Sequence, residues 1–163
     1  MATIAAKKKV SAKKKAPAKK KAPAKADTSR DVVERMRGLR DALRAYALGL
    51  PGAWEDHPWG ESAAKVTKKV FVFFGVSTEE RLREGVGLSM KLPHSGDLVL
   101  SLPFAAPTGY GLGRSGWVTL TIPPGEVPPM DLLTRWIDES FVAVAPKKLV
   151  AQFHALRASD AES

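Results

Sequence analysis

A lysine repeat, KKKVSAKKKAPAKKKAPAK at residues 7–25, constrains this chain more than any other feature. It holds no acidic residue and no large apolar residue except Val10, so it cannot bury enough apolar surface to offset the entropy of ordering. Pro17 and Pro23 remove backbone donors and oppose a helix. We therefore predict a disordered, partly polyproline-like tail over residues 1–28, whose repeat reaches on the order of 60 Å. Its lysines are Lys7, Lys8, Lys9, Lys13, Lys14, Lys15, Lys19, Lys20, Lys21 and Lys25.

The rest of the chain is close to electrically neutral. The whole chain has 26 basic and 17 acidic residues, a net charge of +9. Removing residues 1–26, which hold ten lysines and no acid, leaves 16 basic against 17 acidic residues, or about −1. The pI of 9.9 therefore describes the tail, and any argument for nucleic-acid binding must begin there.

Composition also limits the environment of the protein. There is no cysteine, so neither disulfides nor thiolate chemistry are expected. No apolar run approaches the ~20 residues that span a membrane, and no apolar segment of a signal peptide follows the basic N-terminus. We expect a soluble, cytoplasmic protein without membrane insertion, associated with the nucleoid if it binds DNA.

The remaining sequence predicts one α+β domain at residues 29–158 and a disordered C-terminus at 159–163. Helix-start residues at 27–29 precede an amphipathic helix that ends near Gly49. Alternating or β-branched apolar residues predict strands at 64–66, 70–74, 86–92 and 117–122. Residues 97–102 suit a strand or one helical turn, 53–60 and 103–116 are predicted loops, and two helices begin near Met130 and Pro146. The predicted architecture is an antiparallel sheet of about four strands with helices on one face.

Three short motifs then follow one another along this domain. They are EDHPWG at 55–60, GY at 109–110 followed by GWV at 116–118, and Ser140 before an apolar residue in a long helix. Their order resembles the MmcQ/YjbR family over roughly residues 30–155. The resemblance implies a small α/β fold likened to a double-wing DNA-binding arrangement, with β-hairpins as wings. It implies no established catalytic residues, and the lysine repeat lies outside the family pattern.

Two segments contain residues that enzymes also use, and each has a structural alternative. The sequence GLGRSG at 111–116 has dinucleotide-binding spacing, but a strand is predicted after it instead of the required helix. His57 lies beside Glu55, Asp56 and Glu61, yet the histidines show no metal-binding spacing, which favours a structural loop over metal or hydrolytic chemistry. We therefore predict no catalytic residue, no metal, no cofactor and no enzymatic activity.

The tail carries the functional prediction. Lysine is a good point charge for phosphates and a poor reader of bases, and Lys/Ala/Pro repeats resemble the tails of linker histones and HU-type nucleoid proteins. We predict a non-enzymatic, sequence-nonspecific DNA-binding protein, with RNA as the other candidate polymer. Within the domain, a basic wing surface would comprise Lys65, Lys68, Lys69, Lys91 and Arg114; ordinary solvated lysines that discourage strand pairing are the alternative. The alternative function is a protein- or small-ligand-binding module that the tail localises to nucleic acid.

Overall fold

The computed structural model describes residues 28–161, so residues 1–27 of the predicted tail and the last two residues lie outside the described part of the chain, while Thr28, the last residue of the predicted tail, is described. The described residues form five helices and six strands. The helices are α1 (Ser29–Leu48), α2 (Glu79–Glu84), α3 (Gly96–Leu100), α4 (Met130–Val144) and α5 (Lys147–Ala161). The strands are β1 (Ala53–Asp56), β2 (Ala63–Val66), β3 (Lys69–Phe73), β4 (Val86–Lys91), β5 (Ala105–Pro107) and β6 (Trp117–Ile122).

One antiparallel sheet organises the fold, with strand order β1-β2-β3-β4-β6-β5. The α+β class is confirmed, but the expected number of about four strands was wrong. The two additional strands are β1 and β5, which the sequence analysis placed in loops. Both lie at edges of the sheet and are only four and three residues long, so pairing with a neighbour defines them more than their own residue pattern does.

Helix α1 follows directly from its local sequence. Thr28 accepts a hydrogen bond from the backbone N–H of Asp31, whose carboxylate accepts one from the N–H of Thr28. This capping box satisfies two backbone donors that the first helical turn leaves free. The apolar stripe is buried and Gly49 caps the C-terminus, which confirms the predicted amphipathic helix. The buried stripe comprises Val33, Met36, Leu43 and Ala47.

The helices that contact the sheet cover one of its two faces. On β4, Val86, Leu88 and Met90 are buried toward that face, and they pair across the sheet with Ile122, Leu120 and Val118 of β6. The intervening residues of the two strands point to the other face, which we call the open face. Residues 97–102, for which the sequence suited either a strand or one helical turn, fall largely in helix α3. Gly96 of this helix packs near the side chain of Val118. The core therefore lies between the sheet and α1 and α4, as expected for a two-layer domain.

A β-bulge in β3 changes which side chains reach the open face. Ala64 pairs with Val72 but Lys65 pairs with Val70, so Phe71 is an extra residue. Phe71 consequently faces the core, where its ring packs edge-on against Phe141 of α4. An extra residue in one strand shifts the alternation of the side chains that follow. Phe73 thereby reaches the open face and is partly exposed, whereas Phe71, Val72 and Phe74 are buried.

Two remaining features delimit the described domain. Helix α5 continues to Ala161, three residues past the predicted domain end at 158. Among residues 28–161, no helix is both long and apolar enough to cross a membrane.

Candidate nucleic-acid interface

Two hairpins point toward the same end of the sheet. The first is β2–β3, whose turn at Thr67 and Lys68 adjoins the Val66–Lys69 pair. The second is β5–β6, whose connection spans residues 108–116. Lys91 ends β4 opposite Trp117, which begins β6, so both also lie at this end. We call it the hairpin end, and neither hairpin tip contains an acidic residue.

Four of the predicted basic residues lie at the hairpin end with free side chains. Lys68, Lys69 and Arg114 are exposed, and Lys91 is partly buried on the open face. Within residues 28–161, none of these four cationic groups has a hydrogen-bond or ion-pair partner. Unpaired cations that lie close together create a positive potential that attracts an anion.

Lys65 is different from the other predicted residues. Its Nζ lies 3.0 Å from Oδ2 of Asp56 and 5.0 Å from the ring centroid of Trp54. The side chain is 18% exposed, and Trp54 is held in place by a bond from Nε1 to the carbonyl of Thr67. Asp56 therefore offsets much of the charge that Lys65 would offer to a phosphate.

The β5–β6 connection presents its residues through left-handed backbone conformations. Tyr110 has φ of 59° and is fully exposed, and Gly111 and Gly116 flank a short 3₁₀ turn at Leu112–Ser115 with φ of 79° and 88°. Strand β6 follows this GxGxxG sequence, as the sequence analysis predicted. A dinucleotide would need a helix N-terminus there, so the segment is a turn that displays Tyr110 and Arg114.

The EDHPWG motif is held by internal contacts. Glu55 accepts bonds of 2.6 Å from Nε and Nη2 of Arg44 on α1, and another of 2.6 Å from the hydroxyl of Ser62. The Arg44 bond, followed by that from Ser62 and the charge of His57, lowers the pKa of Glu55 to about 2. Glu55 thus ties β1 to α1. The described residues contain no group of three or more His, Cys, Asp or Glu side chains that could hold a metal.

The polar residues of α4 also have structural partners. Glu139 accepts from the backbone N–H groups of His94 and Ser95, which fixes the turn after β4. Ser140 is fully buried, donates to the carbonyl of Phe71 at 2.5 Å and accepts from the N–H of Lys91 at 2.8 Å. Its hydroxyl therefore bridges β3 and β4 just beyond their last paired residues, Val72 and Met90.

A cavity of about 270 Å³ opens beside the free lysines, and the sequence analysis missed it. Phe73 and Trp117 contact each other there, with ring centroids 5.7 Å apart and planes tilted by 53°. In the sequence, the available signal is that Trp117 alternates onto the same strand face as Thr119 and Thr121. The cavity is lined by Lys69, Val70, Phe73, Lys91, Leu112, Trp117 and Val144.

The opposite end of the sheet carries acidic residues. Helix α2 lies between the end of β3 and the start of β4, and Glu126 follows β6. Arg81 and Arg83 on α2 are ion-paired with Glu84 and Glu79. The near-neutral domain therefore has four unpaired cations at its hairpin end, where Glu139 also binds the turn after β4, and several acidic residues at the far end. The acidic residues there are Glu61, Glu79, Glu80, Glu84 and Glu126.

Comparison with known protein families shows one match that covers most of this domain. The family model YjbR matches residues 48–143, which contain all three sequence motifs. The chain belongs to the YjbR family. The match begins at the end of α1 and closes near the end of α4, so the lysine repeat lies outside it. No curated protein matches the chain.

Proposed function

We propose that this YjbR-family protein is a non-enzymatic DNA-binding protein in which the lysine tail supplies most of the affinity. The observation that supports this proposal is the separation of charge along the sequence. Ten lysines and no acidic residue precede residue 27, and a nearly neutral domain follows. Lysines contact phosphates as point charges, so the binding is independent of base sequence. Six to ten such contacts lower affinity by about 10³–10⁵ between 50 and 200 mM salt.

The hairpin end is the part of the domain that orients on the DNA. Its support is the position of Lys68 and Lys69 at one hairpin tip and Arg114 at the other, with Lys91 between them on the open face. Within residues 28–161 these cations have no carboxylate partner, whereas Lys65 is paired with Asp56. Two separated basic tips can contact phosphates at two positions, which fixes orientation without reading bases.

Deleting residues 1–26 tests this division of labour. Fluorescence anisotropy with a labelled duplex should show that the truncated protein loses most of its DNA affinity at moderate salt. The slope of log affinity against log salt should fall by about 0.9 for each lost phosphate contact. Full affinity in the truncated protein would contradict the proposal.

A second candidate function is a small-ligand- or protein-binding module that the tail localises to nucleic acid. The cavity beside Phe73 and Trp117 is the observation that favours it, because apolar walls with a few polar groups characterise ligand sites. Binding of the isolated tail peptide with the affinity of the whole chain, and no contribution from the domain, would favour this second function.

A further inference from the structure

The cavity at the hairpin end combines two kinds of surface. Five of its seven lining residues are apolar or aromatic, namely Val70, Phe73, Leu112, Trp117 and Val144. The other two are the lysines Lys69 and Lys91. At about 270 Å³ it is slightly smaller than the ~300–1,000 Å³ of sites for drug-sized ligands, so it suits a single ring system with a charged substituent.

The aromatic wall is fixed in place. Trp117 is 8% exposed and its ring contacts that of Phe73, while Phe73 itself is partly exposed at the cavity. The Phe71 bulge directs Phe73 to this face, and the Ser140 bridge fixes the backbone of Lys91. A preorganised wall loses little conformational entropy when a planar group packs against it. Each of the four nucleobases has a planar face that can stack on an aromatic ring, independently of base sequence.

The charge at the cavity selects an anion. Neither Lys69 nor Lys91 has a side-chain partner anywhere in residues 28–161, although both are placed beside apolar surface. An ammonium group in that position is favourable for a phosphate and unfavourable for a cationic ligand. A planar apolar group that carries a phosphate is the chemistry of a nucleotide.

We infer that the cavity takes one unpaired nucleotide of a nucleic-acid strand, with the base against Phe73 and the adjoining phosphate near Lys69 and Lys91. This inference rests on the proposed nucleic-acid binding and specifies the form of the substrate. A base inside a duplex is paired and stacked, so it cannot enter this cavity unless it is extruded. The domain therefore favours single strands and unpaired nucleotides, whereas the tail binds any polyphosphate backbone.

The test compares full-length variants on matched probes by fluorescence anisotropy. The probes share one sequence and are a duplex, the same duplex with one bulged nucleotide, and single strands of DNA and RNA. Lys91→Gln and Lys69→Gln remove a charge at the cavity. Lys68→Gln is the matched control, because Lys68 lies in the same turn, is exposed and does not line the cavity. Phe73→Leu removes the aromatic ring while keeping an apolar side chain, and thermal unfolding checks that each variant folds.

We expect Phe73→Leu to weaken single-strand and bulged-duplex binding by about fivefold or more while duplex binding stays within about twofold. Lys69→Gln and Lys91→Gln should show the same selectivity, and Lys68→Gln should weaken all probes alike. A selective loss on either DNA or RNA supports the inference and identifies the polymer. Uniform losses in all variants overturn it while leaving the proposed function intact; no binding to any probe by the wild type overturns both.

A free mononucleotide is the other source of the same chemistry. Adenosine monophosphate is titrated against the single-strand complex of the wild type and of Phe73→Leu. Competition that requires Phe73, together with the selective probe effects, supports entry of a nucleotide into the cavity. Competition without any probe selectivity assigns the cavity to free nucleotides and overturns the inference for strands.

Discussion

Replacing Ser140 with alanine removes the hydroxyl that joins β3 to β4. In the native protein this group serves the buried carbonyl of Phe71 and the partly buried N–H of Lys91. Those groups are not paired with each other, and the β3–β4 ladder contains only the Val72–Met90 and Phe73–Ser89 pairs. Alanine leaves a donor and an acceptor unsatisfied next to a residue with no solvent exposure.

The expected cost follows from those two groups. A buried donor or acceptor without a partner costs about 1–3 kcal/mol, so Ser140→Ala should lower the free energy of unfolding by about 2–4 kcal/mol. That is a large part of the ~5–15 kcal/mol typical of a domain. Urea denaturation followed by tryptophan fluorescence measures it directly, with the m-value checked for an unchanged native state.

Ser89→Ala provides the control for this measurement. Ser89 lies on the open face and its hydroxyl is 2.8 Å from that of Thr119, which also has Thr108 as a partner at 2.9 Å. Because that network retains a partner after the change, we expect a loss of at most about 1 kcal/mol. If Ser140→Ala were within about 0.5 kcal/mol of the wild type, β3 and β4 could pair directly, and the bridging role of Ser140 would be refuted.

Two further predictions concern α1 and the far end of the sheet. Because the folded-state pKa of Glu55 is depressed to about 2, its contact with Arg44 stabilises the fold above pH ~4.5, and this stabilisation is lost as pH falls toward 2. Glu55→Gln should therefore lower the free energy of unfolding by about 2–3 kcal/mol at pH 7. Urea unfolding measured across pH should then show a flatter dependence on the acid side. Gly85 has φ of 144°, and a Cβ there would overlap the carbonyl of Ile122, so Gly85→Ala should cost about 3 kcal/mol or more. Gly38→Ala should instead raise the free energy of unfolding by about 0.5–1 kcal/mol, because Gly38 is helical with open space around it. Thermal melts compare the two variants, and equal effects of the two alanines would contradict this account.

The elements that sequence predicted well are those whose signals are local. Helix α1 has its cap, stripe and stop within 22 residues, and β4 and β6 alternate cleanly between core and open face. Strand β1 has no such signal: its sequence AWED is a strand because it pairs with β2 and because Glu55 reaches Arg44 on α1. Edge strands of this kind depend on tertiary contacts, so residue pattern alone assigned them to loops.

The candidate site divides in the same way. The lysines could be named from sequence because charge and hairpin position are local properties. The ion-pair partners of these lysines could not be predicted from sequence, because they depend on which strands are neighbours. Lys65 is paired with Asp56 of the neighbouring strand, whereas Lys91 has no such partner among residues 28–161. The cavity depends on the bulge at Phe71, which turns Phe73 to the open face and against Trp117. A bulge requires the register of two strands, and that register is set by the whole sheet.

The near-neutral charge of the domain does not oppose a nucleic-acid surface at the hairpin end. Strands β4 and β6 have six residues each, which separates the ends of the sheet by about 20 Å. Charges that far apart across solvent are largely screened at physiological salt, where the Debye length is about 8 Å. The glutamates at the far end therefore weaken a phosphate contact at Lys69 or Lys91 very little. With four free cations at the hairpin end against ten lysines in the tail, the tail should dominate the salt dependence of binding and the hairpin end should decide which form of nucleic acid is held.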